Sequence, residues 1–132
     1  MNQSTNFDYY LSEGFTPVGM WKMKAKELDF TLDKKWTKRP AVYVFIDSSD
    51  QVLYIGRTIK QLWNTLYHVG YGYEGQLTNH HLHNDLLKHL EKLLSVEILA
   101  HTNTKEHTDL AAYFDMIKKR LIEHTSPLWN IQ

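Results

Sequence analysis

Two short apolar segments in the middle of the chain constrain its fold more than any other feature. Residues 41–46 (Ala-Val-Tyr-Val-Phe-Ile) and 51–55 (Gln-Val-Leu-Tyr-Ile) are rich in β-branched and aromatic residues, which favour strands. The polar Asp-Ser-Ser-Asp sequence between them is typical of a turn. Pro40 cannot donate a hydrogen bond to a neighbouring strand and marks the start of the first segment. The pattern predicts a β-hairpin.

Three helices are predicted downstream of this hairpin. The first follows Gly56, which is expected to end the second strand, and its apolar residues recur at the spacing of one helical face. The second is expected from residue 78 or 79 to residue 94. A strand at residues 95–100 and a polar loop at residues 101–108 then lead to the third helix, from residue 109 to about residue 124.

The first 39 residues are predicted to be an addition to this core. Residues 1–17 show no clear period and are expected to form an arm laid over the domain. Residues 18–23 and 27–32 predict two further strands. The whole chain, residues 1–132, is therefore predicted to be a single α+β domain, with a small antiparallel sheet flanked by helices and an N-terminal hairpin extension.

The composition excludes several classes of protein but does not identify a partner. Basic and acidic residues number 15 each, so no net charge draws the chain to nucleic acid or to a membrane. Cysteine is absent, which excludes disulfides and thiolate chemistry. The longest apolar run, residues 41–46, is far shorter than the ~20 residues of a membrane-spanning helix. The first residues lack the basic start and apolar core of a secretion signal, so a cytoplasmic protein is expected.

Charge is concentrated in one region despite the overall balance. Residues 22–39 hold seven basic and three acidic residues, a local excess of +4. Two interpretations stay open, a solvated hairpin face and a patch that contacts phosphates. On the second interpretation the contacting residues would be Lys34, Lys35, Lys38 and Arg39.

Three short motifs, taken together, resemble the GIY-YIG nucleases over about residues 40–130. They are Ala41-Val42-Tyr43, then Leu53-Tyr54-Ile55-Gly56-Arg57-Thr58, and finally Pro127-Leu128-Trp129-Asn130. The resemblance implies that Tyr43 and Tyr54 lie side by side and help to position or deprotonate a water molecule at a phosphodiester. It implies that Asn130 ties the last turn to this site, although a simple cap after Pro127 is an equal alternative.

The chain departs from that family at two positions that carry its chemistry. The catalytic arginine is replaced by Thr65 or Asn64, and Thr65 is the better equivalent because it flanks the apolar stripe of its helix. His68 lies four residues after Asn64, where some members have a histidine, and is expected at the surface. The metal-binding glutamate is replaced by Lys118, which falls inside the apolar stripe of the last helix. Arg57 is a further basic residue that could contact a phosphate.

Loss of the glutamate implies that Mg²⁺ or Mn²⁺ would lack its protein oxygen ligand. Asp115 is the nearby substitute if the protein is active, but a charge pair between Asp115 and Lys118 is the more natural prediction, since the two lie one helical turn apart. No cofactor is therefore expected. A further hypothesis is that the Lys118 ammonium holds an anion where the metal stood.

Two other segments carry candidate binding residues. The first is a histidine-rich stretch. On a helical wheel its side chains point in diverging directions, which favours a solvated amphipathic helix over a metal site. The residues concerned are His80, His81, His83, His89 and Asp85. The segment of residues 70–79 could instead stack on bases or dock a protein, through Tyr71, Tyr73 and Asn79.

The leading hypothesis is a degenerate GIY-YIG nuclease-like domain that binds a nucleic acid, expected to be DNA, or a protein partner without efficient cleavage, as a regulator, decoy or immunity-type factor. The alternatives are a divergent metal-dependent endonuclease using Tyr43, Tyr54, Arg57, Asp115 and Asn130, and a purely structural interaction module.

Overall fold

The protein is described from a computed structural model that covers residues 5–71, 77–92, 95–102 and 109–130, with only the backbone of residues 77–80. Its elements, in chain order, are α1 (Asn6–Ser12), β1 (Thr16–Lys24), β2 (Glu27–Leu32), a 3-10 turn (Lys34–Trp36), β3 (Ala41–Asp47), β4 (Val52–Thr58), α2 (Leu62–Tyr71), α3 (Leu77–Glu91), β5 (Val96–His101) and α4 (Leu110–Thr125). Within the described ranges, no helix is both long enough and apolar enough to cross a membrane.

The five strands form one antiparallel sheet in the order β2-β1-β5-β3-β4. β5 lies at the centre, where it joins the N-terminal hairpin β1-β2 to the hairpin β3-β4. The predicted α+β class is confirmed. The hairpin at the N-terminus extends the sheet itself, and β4 is left as one of the two outer strands.

Helices cover both faces of the sheet. On one face, α2 and α3 bury leucines against an aromatic core that includes Trp21 and Phe45. On the other face, α4 buries Phe114 and Leu121 against Val44 and its neighbours, together with residues of α1. Because both faces are covered, every residue of β3 is buried, which explains why this segment is apolar without interruption as far as Ile46.

The N-terminal arm contains a helix that its sequence pattern does not predict. Thr5 caps α1, its hydroxyl accepting the Asp8 N–H at 3.0 Å. The Asp50 carboxylate, in the turn between β3 and β4, accepts the N–H groups of Asn6 (2.7 Å) and Phe7 (2.9 Å). At 7 residues the helix is too short to show a period, and it depends on these long-range bonds.

Several details of the elements differ from the sequence prediction. Gly56 lies inside β4, which continues to Thr58, because the register with β3 is maintained through Ala41. Gly70 and Tyr71 belong to the last turn of α2, so this helix extends into the segment of residues 70–79 that carries candidate binding residues. The basic segment after β2 includes a 3-10 turn in which the Asp33 carboxylate accepts the Lys35 N–H at 3.0 Å.

Candidate functional site

The two tyrosines of the motif lie on the sheet face that α2 and α3 cover. Tyr43 is opposite Gly56, and Phe45 is opposite Tyr54, so the two phenols sit diagonally across the hairpin. Their ring centroids are 6.3 Å apart, and the Phe45 centroid lies 5.6 Å from that of Tyr43 and 5.8 Å from that of Tyr54. The position on one face agrees with the predicted alternation of the strands.

Gly56 leaves the space that the Tyr43 phenol occupies. The ring lies across β4 so closely that a side-chain carbon on Gly56 would collide with the hydroxyl and the ring of Tyr43. A glycine in a strand interior often marks such a close approach. Its function here is steric, because it allows the phenol to cross the neighbouring strand.

Burial controls the chemistry of both phenols. It raises the pKa of Tyr43 well above the ordinary value, and neighbouring Tyr54 raises it further, while Arg57 opposes this shift only in part. Burial also raises the pKa of Tyr54. Both hydroxyls are therefore protonated at neutral pH, and neither is poised to act as a general base.

Arg57 is held by α4. Its Nε donates to Asp115 Oδ1 at 2.8 Å and its Nη2 to Asp115 Oδ2 at 3.4 Å, a forked ion pair. Strand alternation explains the geometry, since Gly56 faces α2 and α3 and the next residue faces α4. Both carboxylate oxygens of Asp115 accept hydrogen bonds from Arg57, while the Asp115 charge also acts on Lys118, as the predicted pairing of these two residues implies.

Replacing Asp115 with asparagine is expected to change the free energy of unfolding by less than about 1 kcal/mol. The Asp115 side chain is 55 % exposed, so solvent screens the ion pair. Urea denaturation of the wild type and the variant would measure the difference. A loss of several kcal/mol would show that the pair stabilises the packing of α4 on β4.

A cleft opens beside β4 where α3, α4 and the C-terminal segment meet. Its volume is about 370 Å³, and the described residues that line it are Tyr54, His81, Leu82, Asp85, Lys118, Leu128, Trp129 and Asn130. Tyr43, Arg57, Thr65 and His68 are not among them. Of the residues that the family resemblance assigns to the site, the cleft therefore brings together Tyr54, Lys118 and Asn130.

Lys118 enters this cleft from α4 and is half-buried. Burial lowers the pKa of its ammonium group, the neighbouring Asp115 raises it in part, and Arg57 lowers it further. The lysine is thus a partly desolvated cation whose charge is incompletely compensated. Such a group favours an anionic ligand.

Asn130 fixes the C-terminal segment to β4. Its Oδ1 accepts the Ile55 N–H at 2.9 Å, and its Nδ2 donates to the Ile55 carbonyl at 2.8 Å. The backbone N–H groups of Leu128 and Trp129 donate to the carbonyls of Val52 (3.1 Å) and Leu53 (2.7 Å). The polar atoms of Asn130 are therefore engaged in holding the wall of the cleft.

The other predicted site residues lie away from the cleft. Thr65 and His68 are half-buried on α2, while Asn64 is exposed and donates from its Nδ2 to Gln61 at 3.3 Å. The cations of the basic patch, Lys34, Lys35, Lys38 and Arg39, are all exposed. Tyr71 is 65 % exposed. Tyr73 and the side chains of Asn79 and His80 lie outside the described residues.

The histidines of α3 with described side chains lie next to different groups. His83 Nδ1 lies 3.1 Å from the Val69 carbonyl, and His89 Nε2 lies 2.9 Å from the buried Asp47 carboxylate. Among the described side chains of this stretch, His81 lines the cleft on the same wall as Asp85. The divergence of the histidines agrees with the helical-wheel prediction, although the position of Asp85 in the cleft does not follow from it. The sequence feature that could have predicted this position is the spacing of four residues between His81 and Asp85, which places both on one face of a helix.

Among the described residues, the cleft does not gather the donor set that a divalent metal prefers. Mg²⁺ and Mn²⁺ bind carboxylate oxygens, and in the described ranges no three His, Asp or Glu side chains converge on one point. Asp85 shares the cleft with the Lys118 cation, and the Asp115 carboxylate is occupied by Arg57. The described residues of the cleft do not fit a metal centre of the expected kind.

Two solved structures share this arrangement of elements. A mutant of bacteriophage T4 EndoII is 16% identical, with a TM-score of 0.71 over 97% of this chain and 100% of that one. The restriction endonuclease HPY188I, in complex with product DNA, is 16% identical, with a TM-score of 0.55 over 95% of this chain and 83% of that one. The chain shares its fold with these two proteins. No protein-family model and no curated protein matches its sequence.

The chain aligns with EndoII along almost its whole length, so the N-terminal strands and α1 are included in the shared fold. The comparison concerns the arrangement of the elements, because the sequence identity is low. The chemistry of the cleft is therefore judged from the residues that line it in this chain.

Proposed function

We propose that this protein is a degenerate GIY-YIG nuclease-like domain that binds a nucleic-acid phosphate in the Lys118 cleft without efficient cleavage. The observation that carries the proposal is the partly desolvated ammonium group of Lys118 in the cleft that Tyr54 and Asn130 also line. A phosphate oxygen at this point would compensate the positive charge of the ammonium group, which burial has partly withdrawn from water.

The same cleft explains why cleavage is expected to be weak. Hydrolysis needs a group that deprotonates water, and the buried phenols of Tyr43 and Tyr54 hold their protons at neutral pH. It also needs stabilisation of the developing charge, for which the described cleft offers one lysine and no converging metal ligands. Binding without turnover is the function that fits both conditions.

Lys118→Gln is expected to weaken duplex DNA binding about tenfold, the worth of a typical charge-assisted hydrogen bond. Removal of one phosphate contact should also reduce the slope of log K against log salt by about 0.9. Fluorescence anisotropy over a salt series measures both quantities. Lys119→Gln is the matched control, since Lys119 is an exposed neighbour that does not line the cleft.

Asp85→Asn is expected to strengthen the same binding by about threefold to tenfold, because a carboxylate in high effective dielectric repels a phosphate by roughly 1 kcal/mol. Glu91→Gln, an exposed change on the same helix, is the control and should leave the affinity unchanged. Weaker binding by Asp85→Asn would place the phosphate elsewhere.

The pH dependence of binding has a defined sign. The ammonium of Lys118 is charged below its lowered pKa, so affinity should fall as pH rises through a range that lies below the ordinary lysine value of 10.5. The pKa of Tyr54 is raised, so that phenol stays neutral over the same range. The Lys118→Gln variant should show a smaller fall, and an equal fall would assign the titration to other groups.

Cleavage assays on plasmid and oligonucleotide DNA with Mg²⁺ and with Mn²⁺ test the second half of the proposal. Intact substrate is expected after long incubation at protein excess. Metal-dependent cutting that Tyr54→Phe abolishes would overturn it in favour of a divergent endonuclease. The observation that favours this second candidate is the position of both tyrosines on one face of the sheet. The absence of both cutting and binding would leave a protein partner as the function of the fold.

A further inference from the structure

Three aromatic side chains form a continuous ladder along α2, away from the Lys118 cleft. Trp63, Tyr67 and Tyr71 are spaced four residues apart. The rings of Trp63 and Tyr67 are stacked, with centroids 4.8 Å apart and planes inclined by 25°. The rings of Tyr67 and Tyr71 are 4.4 Å apart. We call this set the α2 ladder.

The α2 ladder is not the core face of its helix. Leu62, Leu66 and Val69 supply that face and are fully buried. By contrast, Trp63 is 39 % exposed and Tyr71 is 65 % exposed. The ladder therefore presents large aromatic surface to solvent while its rings support one another.

The α2 ladder contacts the sheet through Trp63. The ring of Trp63 lies 6.1 Å from that of Phe30, on the outer strand β2. Helical backbone and neighbouring rings thus restrict the rotation of Trp63. A pre-ordered aromatic surface loses little side-chain entropy when a flat ligand stacks on it.

The basic patch is attached to the first turn of the same helix. The Trp63 backbone N–H donates to the Thr37 carbonyl at 3.0 Å, and the Leu62 backbone N–H donates to the Arg39 carbonyl at 3.0 Å. The segment that carries the exposed cations Lys34, Lys35, Lys38 and Arg39 therefore packs next to the ladder. Asp33 is the acidic residue of this segment, and its carboxylate accepts the Lys35 N–H.

We propose that the α2 ladder and the adjoining basic patch form a binding surface for single-stranded nucleic acid. Bases stack on the exposed faces of Trp63 and Tyr71, and the cations hold the phosphates between them. This combination of aromatic platforms with a flanking positive strip is the chemistry that single strands require. A duplex hides the faces of its bases, so it would engage only the cations. The proposal does not rest on the Lys118 cleft.

The test is fluorescence anisotropy with labelled oligonucleotides of about 20 nucleotides, longer than one ~4–16-nucleotide binding site. Oligo-dT, oligo-U and a mixed duplex serve as the three probes. Trp63→Ala is expected to weaken single-strand binding at least about fivefold, the lower limit for removal of one stacked base. Trp63→Phe, which keeps a ring, should retain most of the affinity and guards against a folding artefact.

Met116→Ala is the matched control, because Met116 is 62 % exposed on α4 and belongs to neither surface. Lys34→Gln with Lys35→Gln should reduce the salt slope for single strands by roughly 0.7 for each phosphate that is no longer neutralised. The ratio of the affinities for oligo-U and oligo-dT then distinguishes RNA from DNA as the natural strand.

The outcomes separate the two surfaces. Weakened single-strand binding in Trp63→Ala, with binding kept in Lys118→Gln, supports the ladder. Equal affinity of Trp63→Ala and Met116→Ala for the single strands overturns it, as does an equal loss of single-strand and duplex binding in Trp63→Ala. Failure of the Lys118 cleft to bind duplex DNA would leave this result unaffected.

Discussion

Replacing Gly56 with alanine is expected to lower the free energy of unfolding by about 3 kcal/mol, the upper part of the range for overpacking a core. The new methyl group would occupy the space of the Tyr43 hydroxyl and ring. Both residues lie in a sheet that is packed on its two faces, so neither strand can shift freely. Urea denaturation followed by tryptophan fluorescence would measure the change.

Gly70→Ala is the matched control for this prediction. A methyl group there would meet the nearest atom, on the Trp21 ring, at 3.6 Å, an ordinary contact distance. Because Gly70 is helical, the change should stabilise the protein by about 0.5–1 kcal/mol. Combining Gly56→Ala with Tyr43→Val should recover part of the stability. A stable Gly56→Ala variant with an unmoved Tyr43 ring would contradict the steric account.

Removing the Asp47 carboxylate, in Asp47→Ala, is expected to cost about 3 kcal/mol of stability, within the range for breaking a buried hydrogen-bonded pair. Asp47 Oδ1 accepts the N–H groups of Ser49 and Gln51, each at 2.9 Å, and closes the turn between β3 and β4. Its Oδ2 lies 2.9 Å from His89 Nε2. The alanine variant leaves these donors without their acceptor in a site where the carboxylate is only 1 % exposed.

Asp47→Asn separates the two parts of this effect. It retains a side-chain oxygen for the turn but lacks the charge beside His89, so a smaller loss of stability is expected. A double-mutant cycle with His89→Ala isolates the coupling between the two residues. If Asp47→Ala unfolded within about 0.5 kcal/mol of the wild type, as a surface change does, the carboxylate would have no structural role.

The hairpin of β3 and β4 could be predicted from the sequence because its composition and its turn agree. The same holds for the face of α4, where the angular position of Lys118 predicts an inward side chain and the structure finds it half-buried in the cleft. Local patterns of this kind depend on the period of one element. They are visible without knowledge of what packs against it.

The parts that could not be predicted depend on contacts between elements. The ion pair of Arg57 with Asp115 follows from the docking of α4 on β4, across 58 residues of sequence. Asp85 reaches the cleft because α3 packs beside the C-terminal segment, and α1 forms where Asp50 accepts its first N–H groups. The prediction that Gly56 ends its strand is wrong because glycine usually weakens a strand, whereas here it makes room for Tyr43.

The bonds between residues 128–130 and β4 have a consequence for how the protein behaves at high concentration. An outer strand with free peptide groups is a template for another chain, and proteins that leave one uncovered tend to aggregate. Here the side-chain amide of Asn130 offers Ile55 the same donor and acceptor that a neighbouring peptide would. The last turn thus occupies the outward-facing peptide groups of Ile55, with which another chain would otherwise pair at this edge.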